Sequence, residues 1–178
     1  MSRDKYEEYE AKIILEKYSK RYKKLKLSDR PDIYDDEKSI GIEVVYGNEE
    51  DKMKNVSIWL KNASKENSFE IYCDNCLEYH FDSSDLDILN PIIESFENKV
   101  EKMQEYQEFK KYDLFIHTNI GVYEEHVNML IDIFNEKNKL NRKFDYVYIY
   151  SQNDLIEIDL KNKKYFIQEV EGIKLWAN

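Results

Sequence analysis

The stretch of residues 30–46, RPDIYDDEKSIGIEVVY, decides the fold class. It opens with a short extended piece, and it closes with a run rich in β-branched side chains, Ser39-Ile40-Gly41-Ile42-Glu43-Val44-Val45-Tyr46. A polar run, Asp35-Asp36-Glu37-Lys38, separates the two pieces, which is the pattern of two strands joined by a turn. The stretch therefore predicts a β-hairpin.

Helical and strand patterns surround this hairpin. Before it, apolar residues at alternating four- and three-residue steps predict a helix over residues 4–24; they are Ala11, Leu15, Tyr18, Tyr22 and Leu25. After it, the patterns predict a helix at 49–64, an extended or irregular segment at 69–82, a helix from Pro91 to about 109, a strand at 113–118, a helix through 127–134 and strands at 144–150, 155–160 and 165–170. The order α, β-hairpin, α, β, α, β, β, β predicts an α/β (α+β) domain around a mixed sheet flanked by helices.

Length and composition exclude several classes of protein. The chain has 178 residues, of which 42% are hydrophobic and 14% aromatic, so it is not intrinsically disordered. The few Pro and Gly residues are scattered and mark no linker, which predicts a single domain over residues 1–178. No run approaches the length of a membrane span, and the charged first residues carry no apolar signal region. We therefore expect a cytoplasmic protein that does not associate with membranes.

The charge is unevenly distributed. The formal net charge is -10, which argues against a general nucleic-acid binder. Residues 17–30, called the basic segment below, nevertheless carry seven cations against the single acid Asp29; they are Lys17, Lys20, Arg21, Lys23, Lys24, Lys26 and Arg30. The segment is either a solvated face or a surface for a phosphate backbone.

Two acids of the hairpin are candidate metal ligands. Asp32 and Glu43 lie on adjacent strands joined by a tight turn, so their carboxylates can converge on one point, as Mg²⁺ requires of its ligands. Burying Glu43 unpaired among its apolar neighbours would be costly. The alternative is that Asp32 caps the turn and Glu43 faces solvent. Glu8, three residues before Ala11, is a further acid on the predicted buried face of the first helix.

The motif RPD followed by IGIEVV resembles the PD-(D/E)XK nuclease-like superfamily. The resemblance covers about residues 6–118 and implies an αβββαβ core, with the following helix and strands as a C-terminal extension. It implies that Asp32 and Glu43 ligate Mg²⁺ or Mn²⁺ and that Glu8 is a third acid. In such enzymes the metal polarises the scissile phosphate and activates a water molecule.

The sequence departs from this pattern at one position. The family's lysine, two residues after Glu43, is replaced by Val45. Either catalytic competence is lost, or a cation from elsewhere takes this place, as in members whose lysine lies on the neighbouring helix. Lys99 is the candidate, because on a helical wheel it falls closer to the apolar stripe than Lys102 does. The alternative is an ordinary lysine whose ammonium extends to water.

Two functions follow from these patterns. The first is a divalent-metal-dependent nuclease that hydrolyses phosphodiester bonds, with Asp32, Glu43, Lys99 and Glu8 as its site residues. Its nucleic acid, DNA in preference to RNA, would be held by Lys20, Arg21, Lys23, Lys24, Lys26 and Arg30. The second is a catalytically inactive protein of the same fold that acts as an acidic protein-binding inhibitor or DNA mimic. Exposed strand edges also make a homodimer a possible assembly.

The remaining cysteines and histidines give weaker evidence for a functional site. Cys73, Cys76 and His80 supply three zinc ligands where a structural site needs four, so ordinary cysteines are favoured over a zinc site. His117, near the end of a predicted strand, is interpreted as a satisfied core or rim histidine rather than a catalytic one. Glycine-rich phosphate loops and serine-centred elbows are absent from the sequence.

Overall fold

The computed structural model describes residues 3–47, 85–105 and 109–171. In chain order these residues form helix α1 (Arg3–Tyr18), strands β1 (Lys26–Leu27), β2 (Ile33–Asp35) and β3 (Ile40–Tyr46), helix α2 (Asp85–Lys102), a 3-10 turn (Met103–Glu105), strand β4 (Lys111–Thr118), helix α3 (Glu124–Lys137), and strands β5 (Phe144–Ser151), β6 (Asp154–Asp159) and β7 (Lys164–Glu169). The predicted helix at 49–64, the segment at 69–82 and the candidate zinc ligands lie outside the described residues.

The strands form one mixed sheet whose spatial order follows the chain, β1-β2-β3-β4-β5-β6-β7. The central pairs β3–β4 and β4–β5 are parallel, and the outer pairs are antiparallel. Parallel neighbours need a crossover connection, and α2 and α3 lie in the two crossovers. The prediction of an α/β domain around a mixed sheet is confirmed.

Each face of the sheet is covered by helices. One core joins α2 and α3 to the sheet, and the rings of Phe96 and Phe134 stack at 4.2 Å between the two helices. The other core joins α1 to the opposite face. Along β4, Leu114 and Ile116 belong to the first core and Phe115 to the second, as strand alternation requires. Within the described ranges, none of the helices has both the length and the apolar character needed to cross a bilayer.

Three predicted helix boundaries are wrong, namely the end of α1 and both ends of α2, since α2 ends at Lys102 and not near residue 109. Helix α1 ends at Tyr18 rather than near residue 24, because Ser19 Oγ accepts a hydrogen bond from the backbone N–H of Arg21 and turns the chain. Tyr22 is still buried, so its helical spacing reflected burial rather than helix. Helix α2 begins at Asp85, and Pro91 lies within it rather than in its first turn.

Candidate functional site

The hairpin places Asp32 and Glu43 side by side. In the β2–β3 ladder Ile33 pairs with Ile42, so continuing the register by one residue sets Asp32 opposite Glu43. Directly opposite residues of an antiparallel pair project from the same face, with Cβ atoms about 4.5–5.5 Å apart. The backbone N–H of Val44 donates to Asp32 Oδ2 at 2.7 Å, which fixes the first carboxylate against the second strand.

Glu43 projects into the interior and not into solvent. Its neighbours Ile42 and Val44 pack in the core on the α1 side, while Val45 packs in the core on the α2 side. By alternation Glu43 faces α2, and only 2% of it is exposed. The alternative in which Glu43 lies on a solvent-facing side is therefore wrong.

Helix α2 brings a cation to both carboxylates. Lys99 Nζ donates to Glu43 Oε2 at 2.6 Å and lies 3.9 Å from Asp32 Oδ2. Lys102, one turn along the helix, is exposed. The prediction that Lys99 rather than Lys102 points towards the sheet is confirmed. Three side chains from three separate elements thus form one cluster, which we call the carboxylate–lysine centre: Asp32, Glu43 and Lys99.

The carboxylate of Asp32 is tuned by opposing effects. Burial raises its pKa above the ordinary value, because the charged form loses hydration. The hydrogen bond from Val44 and the charge of Lys99 act in the opposite direction. The effect of burial is the largest, and the pKa of Asp32 lies above its ordinary value.

The chain was compared with protein-family models, with curated proteins and with solved structures. None of these comparisons gives a match.

The donor set of the centre fits a hard divalent cation. Mg²⁺ takes oxygen ligands, keeps several waters and is usually bound through one or two carboxylates together with substrate phosphates. Asp32 and Glu43 supply two such carboxylates. Within residues 3–47, 85–105 and 109–171, no three His, Cys, Asp or Glu side chains are grouped as a metal site.

Glu8 lies on the helix that covers the other face. It is half-buried on α1, and its neighbours contact β4 there: the carbonyl of Glu7 lies 3.3 Å from His117 Nε2, and Glu10 Oε2 lies 3.8 Å from His117 Nδ1. Glu43 projects from the opposite face of the sheet. A role for Glu8 at the centre stays a prediction.

His117 is a core residue. It is 4% exposed, its ring stacks on Tyr46 at 5.4 Å, and burial lowers its pKa to about 4. A group that stays neutral at physiological pH and is enclosed by other rings is typical of a structural histidine. The prediction that His117 lies in the core is confirmed.

The cations of the basic segment divide into two sets. Three are paired: Lys17 Nζ lies 3.5 Å from Glu171 Oε2, Arg21 Nη2 pairs with the buried Asp113 at 3.0 Å, and Lys26 pairs with Asp36. The exposed set comprises Lys20, Lys23, Lys24 and Arg30, to which the structure gives no side-chain partner among the residues that it describes. These four cations are accessible to an anionic ligand.

One polar cluster was missed by the sequence patterns. Asp113 is fully buried at the start of β4, where its carboxylate receives Arg21, the hydroxyl of Tyr22 and the backbone N–H of Tyr146. The signal was available, because an acid that alternates with Phe115 and His117 in an apolar strand faces a core. Two of its partners, Arg21 and Tyr22, come from a segment distant in sequence whose periodic spacing predicted a helix, so the sequence alone does not identify the pairing.

Proposed function

We propose that this chain is a divalent-metal-dependent nuclease whose catalytic centre is formed by Asp32, Glu43 and Lys99. The observation that carries the proposal is the position of Lys99 Nζ, 2.6 Å from Glu43 and 3.9 Å from Asp32. A lysine beside two carboxylates is the residue set that the PD-(D/E)XK resemblance calls for. Here the lysine comes from α2 instead of from the position that Val45 occupies.

The order of elements supports the proposal. Among the described residues, α1, β1, β2, β3, α2 and β4 follow one another in the chain, which is the αβββαβ order that the resemblance implies. Val45 is partly buried against the core between the sheet and α2, so the family's lysine position contributes packing and no charge in this chain.

The residues of the centre have distinct tasks. Asp32 and Glu43 would hold Mg²⁺ or Mn²⁺, which when bound polarises the scissile phosphate and lowers the pKa of an attacking water. The Val44 N–H orients the Asp32 carboxylate, and Glu43 is almost fully buried. The ammonium of Lys99 would stabilise negative charge that develops on the phosphate oxygens.

The exposed cations supply the contact with the substrate. Lys20, Lys23, Lys24 and Arg30 precede Asp32 in the chain, and the backbone N–H of Ser28 donates to the Asp32 carbonyl at 2.9 Å. Lysine and arginine contacts to phosphate position a nucleic acid without reading its bases. We favour DNA over RNA as the substrate.

Metal binding and cleavage test the proposal together. Mn²⁺ is titrated calorimetrically into the wild type and Glu43→Gln, and cleavage of plasmid DNA with Mg²⁺ is followed for both and for Lys99→Met. We expect Glu43→Gln to lose binding and cleavage, because one of two metal carboxylates is removed. Lys99→Met should lose cleavage and retain Mn²⁺. Lys102→Met, an exposed lysine on the same helix, is the matched control and should behave as wild type. Cleavage that survives Glu43→Gln would refute the assignment of this catalytic centre.

A second function is favoured by the same close contact. An ammonium already 2.6 Å from Glu43 balances the charge that a metal would otherwise balance. An inactive protein of this fold, acting through an acidic surface on a protein partner, would keep such a pair as a structural element. It predicts that wild-type protein binds no Mn²⁺ and cleaves no DNA, and that Lys99→Met creates a binding site for Mn²⁺. The titration above therefore distinguishes the two functions.

A further inference from the structure

The part of the basic segment that follows α1 is held by side chains rather than by secondary structure. After α1 ends at Tyr18, residues 19–25 form turns and bends, and the next strand, β1, has only two residues. The buried side chains Tyr22 and Leu25 attach these turns to the core beneath α1. The conformation of the exposed residues between them depends on such anchors.

Asp113 also holds these turns in place, through the side chains of Arg21 and Tyr22. Its Oδ2 accepts hydrogen bonds from Arg21 Nη2 at 3.0 Å and from the Tyr22 hydroxyl, and its Oδ1 accepts the N–H of Tyr146 at 3.0 Å. The Arg21 guanidinium also lies 3.4 Å from the centre of the Tyr146 ring. The side chains of two consecutive residues of the segment therefore donate hydrogen bonds to one fully buried carboxylate.

The residues beside these anchors are forced outward. Lys20, Lys23 and Lys24 are exposed, and the structure gives them no ion-pair partner within the described ranges. They flank the inward pair Arg21 and Tyr22 on both sides. A chain fixed at that pair presents the three ammonium groups from one short stretch.

We propose that Asp113 is a positioning residue for nucleic-acid binding: it tethers Arg21 and Tyr22, and thereby presents Lys20, Lys23 and Lys24 as a docking surface for a phosphate backbone. Arg21, a cation that the sequence suggests as a phosphate contact, is an internal anchor of this surface. The inference rests on the nucleic-acid partner of the proposed function. It does not require the carboxylate–lysine centre to be catalytic.

The sign of one substitution separates the tether from simple electrostatics. Asp113→Asn removes a negative charge from an acidic protein, so charge alone would strengthen binding to DNA. Loss of the tether should weaken binding instead, because Arg21 loses its charged partner and the lysines lose their fixed arrangement. Asp29→Asn is the matched control, since Asp29 is an exposed acid in the same segment. Tyr22→Phe removes one hydrogen bond to Asp113 with no change of charge.

The first measurement is limited trypsin digestion with the cut sites assigned by mass spectrometry. Hydrogen bonds to charged groups are among the strongest in proteins, and cleavage follows the population of the opened segment. We expect cutting after Lys20, Lys23 and Lys24 to become at least about tenfold faster in Asp113→Asn and Tyr22→Phe. Circular dichroism establishes that each variant is folded, and Tyr22→Phe serves if Asp113→Asn does not fold. Unchanged cutting in a folded variant overturns the tether.

The second measurement is fluorescence anisotropy of a labelled DNA duplex in EDTA, where cleavage does not interfere. Asp113→Asn and Tyr22→Phe should bind several-fold more weakly than wild type, and Asp29→Asn equally or more tightly. The plot of log affinity against log salt concentration has a negative slope, and the triple variant Lys20→Ala, Lys23→Ala, Lys24→Ala should make it shallower by about three. If trypsin cuts a variant faster but its affinity for DNA is unchanged, the three lysines are not a docking surface for DNA. The same conclusion follows if the protein binds anionic vesicles and not DNA. Binding through these lysines without cleavage in Mg²⁺ refutes the nuclease alone.

Discussion

The burial of His117 predicts a specific dependence of stability on pH. Burial lowers the pKa of this imidazole to about 4, and the hydrogen bond to the Glu7 carbonyl only partly opposes the effect. In the unfolded chain the same group titrates at about 6.5. At pH values between these two pKa values, the imidazole is protonated in the unfolded state and neutral in the folded state. The His117 contribution to the free energy of unfolding therefore falls as the pH is lowered from about 6.5 to 4.

The magnitude follows from the gap between the two pKa values. One pKa unit corresponds to about 1.4 kcal/mol, so His117 destabilises the fold by about 3 kcal/mol at pH 4 relative to pH 7. Asp113 acts in the opposite direction. Burial raises its pKa to about 6, so the folded state takes up that proton first and gains stability on acidification. The pH dependence of wild-type stability alone therefore does not separate the contributions of His117 and Asp113.

His117→Gln isolates the histidine. Glutamine retains an N–H for the Glu7 carbonyl and has no titration in this range, while Asp113 is present in both proteins. Urea unfolding followed by circular dichroism from pH 7 to pH 4 gives both stability curves. Their difference, wild type minus variant, should decrease by about 3 kcal/mol towards pH 4. Parallel curves would refute the assignment of a buried neutral imidazole.

Four further substitutions test the packing of the core and of the hairpin. Phe96→Ala should cost about 3–5 kcal/mol in a urea melt because Phe96 is fully buried, whereas Phe166→Ala should change stability by less than about 0.5 kcal/mol because Phe166 is 60% exposed. Gly47→Ala should cost about 1–3 kcal/mol in the same assay, since its Cβ would lie 3.2 Å from a backbone atom of α2. Gly41→Ala would place a Cβ 2.8 Å from Pro31 Cγ, beside Asp32, and should weaken Mn²⁺ binding in calorimetry while the protein stays folded.

Periodicity alone was enough to predict the elements with strong apolar stripes. The apolar stripe predicted for the helix after Pro91 is buried throughout, and the three C-terminal strands lie within one residue of their predicted bounds; the stripe residues are Ile92, Ile93, Phe96, Val100 and Met103. The α1 boundary was missed because Tyr22 and Leu25 continue a helical spacing while packing from irregular backbone. Local spacing reports burial, and burial does not require a helix.

The candidate site was only partly accessible from the sequence. The turn between β2 and β3 predicted that Asp32 and Glu43 lie side by side. Which face Glu43 occupies was undetermined, because alternation in β3 permits either side until a helix packs on one. The pairing of Asp113 with Arg21 depends on the path of residues 19–25, which no local pattern specifies.

The placement of α1 across the sheet has a consequence for the order of folding. The Gln168 side chain donates to the Tyr18 carbonyl, and the Ser19 hydroxyl donates to Glu157, so the end of α1 contacts the two strands that come last in the described chain. Contacts so distant in sequence are slow to form, because the intervening chain must first be ordered. During synthesis α1 emerges long before β6 and β7. We expect the part of its apolar face that packs towards those strands to remain uncovered until they join the sheet, which makes the complete docking of α1 a late step of folding.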